Sequence, residues 1–299
     1  MFAAIVLAIT LSATGGPAQS QTHEPPPDVV ADVVVQGQSL RRAVEEFVDE
    51  VVAPLDRRGP ARWNRSVCVG VVNFQREAAQ VLADQVSSVA LEAGLDIGEP
   101  GCSPNVLIIA TDDGSGLVRG LVAERPQAFR APYAGAPRHS AALQRFQDTS
   151  APVRWWHISM PMIRDTNRPA VRMFGEGAPF IAGGNRLQNP IRNDLQKVFV
   201  IVDVAAAEGV DIRRLGDYVG MVALSQIDPL AETSTFDTVL NLFRDERHEV
   251  ALTEWDRSYL HALYGAELNR RASNQQTGEI ADSMLRDRQR NRDAAATEP

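Results

Sequence analysis

Histidine, lysine and cysteine are scarce in this chain: five histidines, two cysteines and one lysine, Lys197, among 299 residues. Few histidines and cysteines leave little material for a metal site. No GxxxxGK[ST] loop occurs, so a P-loop nucleotide site is excluded, and no GxSxG elbow marks a serine hydrolase. The net charge is −8, which argues against nucleic acid as a partner, because phosphate binding needs a basic patch. No run is apolar for the ~20 residues that a membrane-spanning helix needs, so the mature chain is expected to lack a transmembrane segment.

A short apolar run is present. Residues 3–13 (AAIVLAITLSA) carry no charge, and Ala18-Gln19-Ser20 follows with small residues where a signal peptidase cuts. Residues 1–20 are therefore expected to be a signal peptide and the protein to be exported, to the periplasm or outside the cell. In an oxidising compartment a single cysteine pair is expected to be bonded. Cys68 lies in the strand-like SVCVGVVNF and Cys102 just before NVLIIAT. The helical stripe Ala78, Leu82, Val86, Val89, Ala93 lies between them. A strand–helix–strand unit can bring both cysteines to neighbouring strand starts, so a Cys68–Cys102 disulfide is expected.

The organisation reads as α/β (α+β): a single exported domain over 32–266, with a mixed sheet and packed helices. Residues 21–31 are Pro-rich and expected to be a flexible leader. Val33–Val35 could be a short strand, and Ser39 caps a helix burying Leu40, Val44, Phe47, Val48 and Val51. Gly94 is placed to end the 76–93 helix. Residues 125–152 are weakly patterned and read as a surface excursion with a short helix near 141–146. A strand resumes at Trp155, Trp156, His157 and Ile158. Residues 164–194 form a long Gly/Pro/Asn loop of the kind that carries function. KVFVIVDV, from Lys197, is a strand, and a helix over 211–226 buries Ile212, Leu215, Val219, Val222 and Ile227. Ser234-x-x-Asp237 and Thr253-x-x-Asp256 each precede an apolar stripe and predict two further capped helices. Residues 267–299 hold almost no large apolar side chain and are expected to be a disordered polar tail, or at most a solvated helix near Ile280–Arg292.

Chemistry-bearing residues are few. Gly114-Ser115-Gly116 follows a strand and opens a helix, but Asp112 and Asp113 beside it would repel an anion. His23 and His139 fall in low-pattern segments, and His157 reads as structural. His248 and His261 bracket the last apolar helix. His157, Asp203 and Asp217 together define a hydrolase alternative, provided that they meet in one pocket.

Residues 198–265 carry a family resemblance. The strand, the helix LGDYVGMVALSQID, the Phe236–Phe243 segment and LTEWDRSYLHALYG together resemble the C-terminal half of zincin-type (metzincin-like) metallopeptidases. Val67–Ala110 suits the N-terminal strand–helix–strand of that scaffold. The resemblance implies a zincin-like domain whose active-site helix has lost HExxH, with Asp217, Tyr218 and Met221 at its His, Glu and His positions. Zinc needs several N, S or O donors and a base to activate water, so no catalytic residue, metal or other cofactor carries over. The leader–VVVQG–helix–Cys-strand order also resembles exported proteins of Gram-negative bacteria. The expectation is a non-catalytic binding or interaction module on a degenerate metallopeptidase-like scaffold, with a peptide, a glycan or an envelope protein as partner. Its expected contact surface is the 164–194 loop, through Asn185, Arg186 and Asn193. The alternatives are a periplasmic hydrolase with a non-zincin site and a purely structural envelope protein.

Overall fold

A computed structural model describes residues 27–53, 59–133, 140–181, 188–244 and 249–295. The chain divides into two units. The first ends at Ser39 and is described as helical backbone from Pro27. That helix, α1 (Pro27–Val51), includes Val33–Val35, so the expected strand there is corrected to helix, as is the end of the expected leader. The second unit runs from Leu40 to the C-terminus and is α/β.

Its sheet is mixed and four-stranded: β1 (Val69–Val72), β2 (Val106–Thr111), β3 (Val153–Ile163) and β4 (Ile191–Asp203), in the spatial order β1-β2-β4-β3. β1, β2 and β4 are parallel, while β3 runs antiparallel to β4 and forms one edge. The near-continuous apolar runs of β2 and β4 follow from cover on both faces. Side-chain alternation sorts them. Ile108, Val198 and Val200 join the larger core with α2 (Arg76–Glu92), α5 (Ile212–Leu224) and α6 (Glu254–Gly265). Ile109, Phe199 and Ile201 face the opposite way, onto Val118 of α3 (Gly114–Glu124) and Phe146 of α4 (Ser140–Asp148).

Local signals explain the helix ends. Gly94 adopts φ 81°. There Leu95 N–H reaches Ala90 C=O and Gly94 N–H reaches Leu91 C=O, closing α2 with a Schellman motif. Thr253 and Asp256 form the expected capping box of α6. α5 presses unusually close to α2. A Cβ on Gly216 would lie 2.6 Å from Gln85 Cβ, too close without a shift of α2, and one on Gly220 would press on Val89 at 3.1 Å. Cys68 and Cys102 are disulfide-bonded, with Cα atoms 6.1 Å apart.

Three expectations are corrected. The Ser234-x-x-Asp237 segment gives only a 3-10 turn, Val239–Asn241, capped by the Thr238 side chain. The tail, expected to be disordered or at most a solvated helix near Ile280–Arg292, holds the longer and packed α7 (Ser273–Ala295). Ile280, Ala281 and Met284 are buried, and Arg288 stacks over the Trp255 ring at 4.6 Å. One turn spacing puts Ile280 and Met284 on a single stripe, enough when α6 supplies the apolar surface. Finally, the 164–194 loop is shorter than expected, because β4 begins at Ile191.

Candidate functional site: a groove along the open edge of the sheet

β3 is open along one part of its outer edge and covered along another. Asp203 N–H donates to Pro152 C=O at 2.8 Å, which fixes the antiparallel alternation. Arg154, Trp156 and Ile158 then bond to β4, and the backbone groups of Val153, Trp155 and His157 point outward. Further along, past a register shift at Ile158/Ser159, Pro161 C=O accepts from Ala170 N–H and Ile163 N–H donates to Arg168 C=O, both at 2.8 Å. Residues 168–170 therefore cover that end. Among the described residues no backbone pairs with the outer edge at 153–157.

The open stretch lies in a groove of about 1110 Å³. The two tryptophans hold its walls. Trp155 Nε1–H donates to Ile227 C=O at 3.1 Å, fixing the segment after α5. Trp156 Nε1–H donates to Phe129 C=O at 3.0 Å, fixing the turn after α3. On the first wall the Tyr218 ring meets Trp155 and Phe243 edge-on, with centroids 6.2 and 5.0 Å apart. On the second, Trp156 packs on Phe146 at 5.8 Å and Phe146 on Phe129 at 6.2 Å. Aromatic walls around a row of backbone donors and acceptors can take an extended chain.

The polar groups of the groove are placed unevenly. Burial raises the Tyr218 hydroxyl pKa. That hydroxyl has no hydrogen-bond partner among the described residues. His157 lies on β3, and its Nε2–H donates to Val222 C=O at 2.8 Å, the tautomer fixed by an acceptor-only partner. Burial lowers its pKa to about 4, against a smaller opposing contribution from that bond, so the ring is neutral. Arg154 is 4% exposed. Its Nη1 donates to Ser115 Oγ at 3.0 Å and to Gln147 C=O at 3.4 Å, while its Nε has no partner. Desolvation lowers its pKa, and the fields of Asp203 and Asp113 oppose that.

The residues picked out from sequence are dispersed. Asp217 is buried. It accepts from Gln85 Nε2 at 2.6 Å and from Leu252 N–H at 3.0 Å, tying α2, α5 and the approach to α6 together. Met221 is fully enclosed in the core. Tyr218, between them in sequence, turns to the groove instead. Asp203 accepts from Gly114 N–H at 3.4 Å and Ala206 N–H at 3.3 Å. His157, Asp203 and Asp217 thus serve three separate sets of partners. His261 Nε2–H donates to Glu92 C=O, 2.7 Å away, on the α6 surface. No three His, Cys, Asp or Glu among the described residues form a metal-binding group. Asn193 is not on a binding loop. It is a buried residue of β4 whose Nδ2 donates to Gly59 C=O at 3.0 Å. Asn185, Arg186 and His248 lie outside the described residues, as do residues 1–20.

Sequence reading missed the edge of β3 and the arginines beside it. The Trp-Trp pair was visible, but edge status depends on strand order, which no local pattern encodes. No protein family matches the chain, and neither does any curated protein or solved structure.

Proposed function

We propose that this chain is an exported binding module that takes up an extended polypeptide segment as an added strand on β3. The observation that carries the reading is the outward backbone of Val153, Trp155 and His157, unpaired among the described residues, inside a groove with aromatic walls. An exposed edge is a template for another chain. Here it is recessed between two walls, which limits access to a single extended segment. Main-chain bonds then supply affinity, and the walls select side chains. Export rests on the signal-like residues 1–20 and agrees with the disulfide.

On this reading the metallopeptidase resemblance concerns scaffold alone. Asp217 has both oxygens engaged by Gln85 and Leu252, and Met221 is enclosed, so α5 offers zinc no ligand pair. Hydrolysis by His157, Asp203 and Asp217 is disfavoured by their separate hydrogen-bonding environments.

The test is peptide selection by display against the purified mature protein, followed by amide hydrogen exchange. Bound peptides should protect the Trp155 and His157 amides and leave those of Arg154 and Trp156, already bonded to β4, unchanged. Failure to capture any peptide above a blank, or protection confined to other elements, would refute the proposal.

A further inference from the structure

We infer that the segment taken up is acidic on one face and apolar on the other: a strand alternating Asp/Glu with Val, Ile, Leu or an aromatic. The inference rests on strand addition at β3 and concerns which strand is chosen. Side chains of an added strand point alternately to the two faces of the sheet, and here the two faces meet different walls. The Trp155 wall is Tyr218, Leu240, Phe243 and Ile227, with Arg244 at its margin already paired to Glu232 at 3.2 Å. Among the described residues that wall offers no unpaired cation, and it carries the Asp228 carboxylate, which accepts from Leu230 N–H at 2.9 Å.

The Trp156 wall is different. Arg130 and Arg145 are exposed at its rim and form no ion pair among the described residues. Arg154 lies deeper on the same wall, nearly enclosed, in the fields of Asp203 and Asp113 but without a direct ion pair among the described residues. The wall's aspartate, Asp148, is held by Arg119 at 3.2 Å. Arg130 and Arg145 therefore face the groove without an ion-pair partner among the described residues, and Arg154, under the fields of Asp203 and Asp113, lies enclosed beneath them, on a chain whose net charge is −8. A guanidinium fork recognises a carboxylate in a bidentate manner. Carboxylates on every second residue of the ligand would meet this wall, while the residues between them fill the aromatic one. A basic strand would be repelled, and a neutral one would leave the cations unmatched.

The experiment selects random peptides of about ten residues, enough for one strand, against the native protein and against the Arg130→Glu/Arg145→Glu variant. Both side chains are exposed, so the variant should melt like the native protein, which thermal unfolding checks. The native pool should show Asp or Glu at alternate positions with apolar residues between. The variant pool should exchange those acids for Lys or Arg. A synthetic peptide from the native pool should bind the variant about tenfold more weakly, two rim pairs lost, and its native affinity should fall with added salt. If peptides that protect Trp155 and His157 are neutral or basic, or bind both proteins alike, the acidic-strand inference is overturned while strand addition stands. If no selected peptide protects β3, strand addition itself fails, and the inference with it. Capture of medium-chain fatty acid with no peptide would assign the groove to an apolar small molecule and overturn both.

Discussion

Replacing His157 by Gln should change how stability depends on pH. The Gln amide can still donate to Val222 C=O, so the main loss is the titrating group. The His157 pKa lies at about 4 instead of 6.5 because burial penalises the imidazolium, while the bond to Val222 acts weakly the other way. A lowered folded pKa means that the contribution to stability is present above pH 6.5 and is lost as pH falls through 4. A shift of this size corresponds to about 3 kcal/mol. The side of His157 open to the groove admits some water, so about 2 kcal/mol is the working figure. Asp256 titrates with the opposite sense. Its carboxyl is pushed up to about 6 by burial, against four hydrogen bonds from Thr238, Val239 and Thr253. Its contribution is present below the ordinary carboxylate value and is lost as pH rises through 6. Between pH 4 and 6.5 the two groups therefore oppose each other, which flattens the native profile. The assay is urea unfolding of native and His157→Gln protein at pH 7 and pH 4, followed by tryptophan fluorescence. From pH 7 to pH 4 the native protein should lose about 2 kcal/mol relative to the variant. Parallel profiles would refute the buried neutral imidazole.

Three further outcomes check the packing. Cys68→Ser with Cys102→Ser should cost about 4 kcal/mol by denaturant unfolding, because the bond closes a 34-residue separation; an unchanged midpoint would count against a bond in the mature protein. Gly216→Val should cost about 1–3 kcal/mol, since its Cβ would meet Gln85 at 2.6 Å, whereas Gly120→Ala in open space should gain up to about 1 kcal/mol. Met284→Asp buries a carboxylate against α6 and should make α7 susceptible to limited proteolysis while the sheet stays intact.

The parts legible in sequence are those whose own periodicity declares them. α2 shows a stripe ended by Gly94, α6 a capping box, and β2 and β4 unbroken apolar runs that only a two-sided layer demands. α7 was hidden because its buried stripe is short, Ile280, Ala281 and Met284 among many charges. Its folding depends on surface that α6 provides. Val33–Val35 favoured a strand by β-branching, a preference that helical neighbours overrode. Asn193 looked like loop chemistry because Pro190 sits just upstream, yet the Asn side chain serves Gly59 inside β4. The groove was least legible. It exists because β3 enters the sheet last in spatial order and stays uncovered at 153–157, a property of topology.

Asp217 and Tyr218 show how one helix answers two demands. Successive residues on a helix diverge by about 100°. Asp217 consequently turns inward, where Gln85 Nε2 and Leu252 N–H each donate to one of its oxygens and offset the cost of burying it. Tyr218 turns toward Trp155 and the groove. Gly216 and Gly220 bring α5 against α2 and so set how far the Tyr218 ring stands from β3. The sequence LGDYVGM is then accounted for residue by residue in structural terms. Its glycines set the approach to α2, its aspartate ties α2 and the approach to α6 to α5, and its tyrosine turns to the groove a hydroxyl without a partner among the described residues.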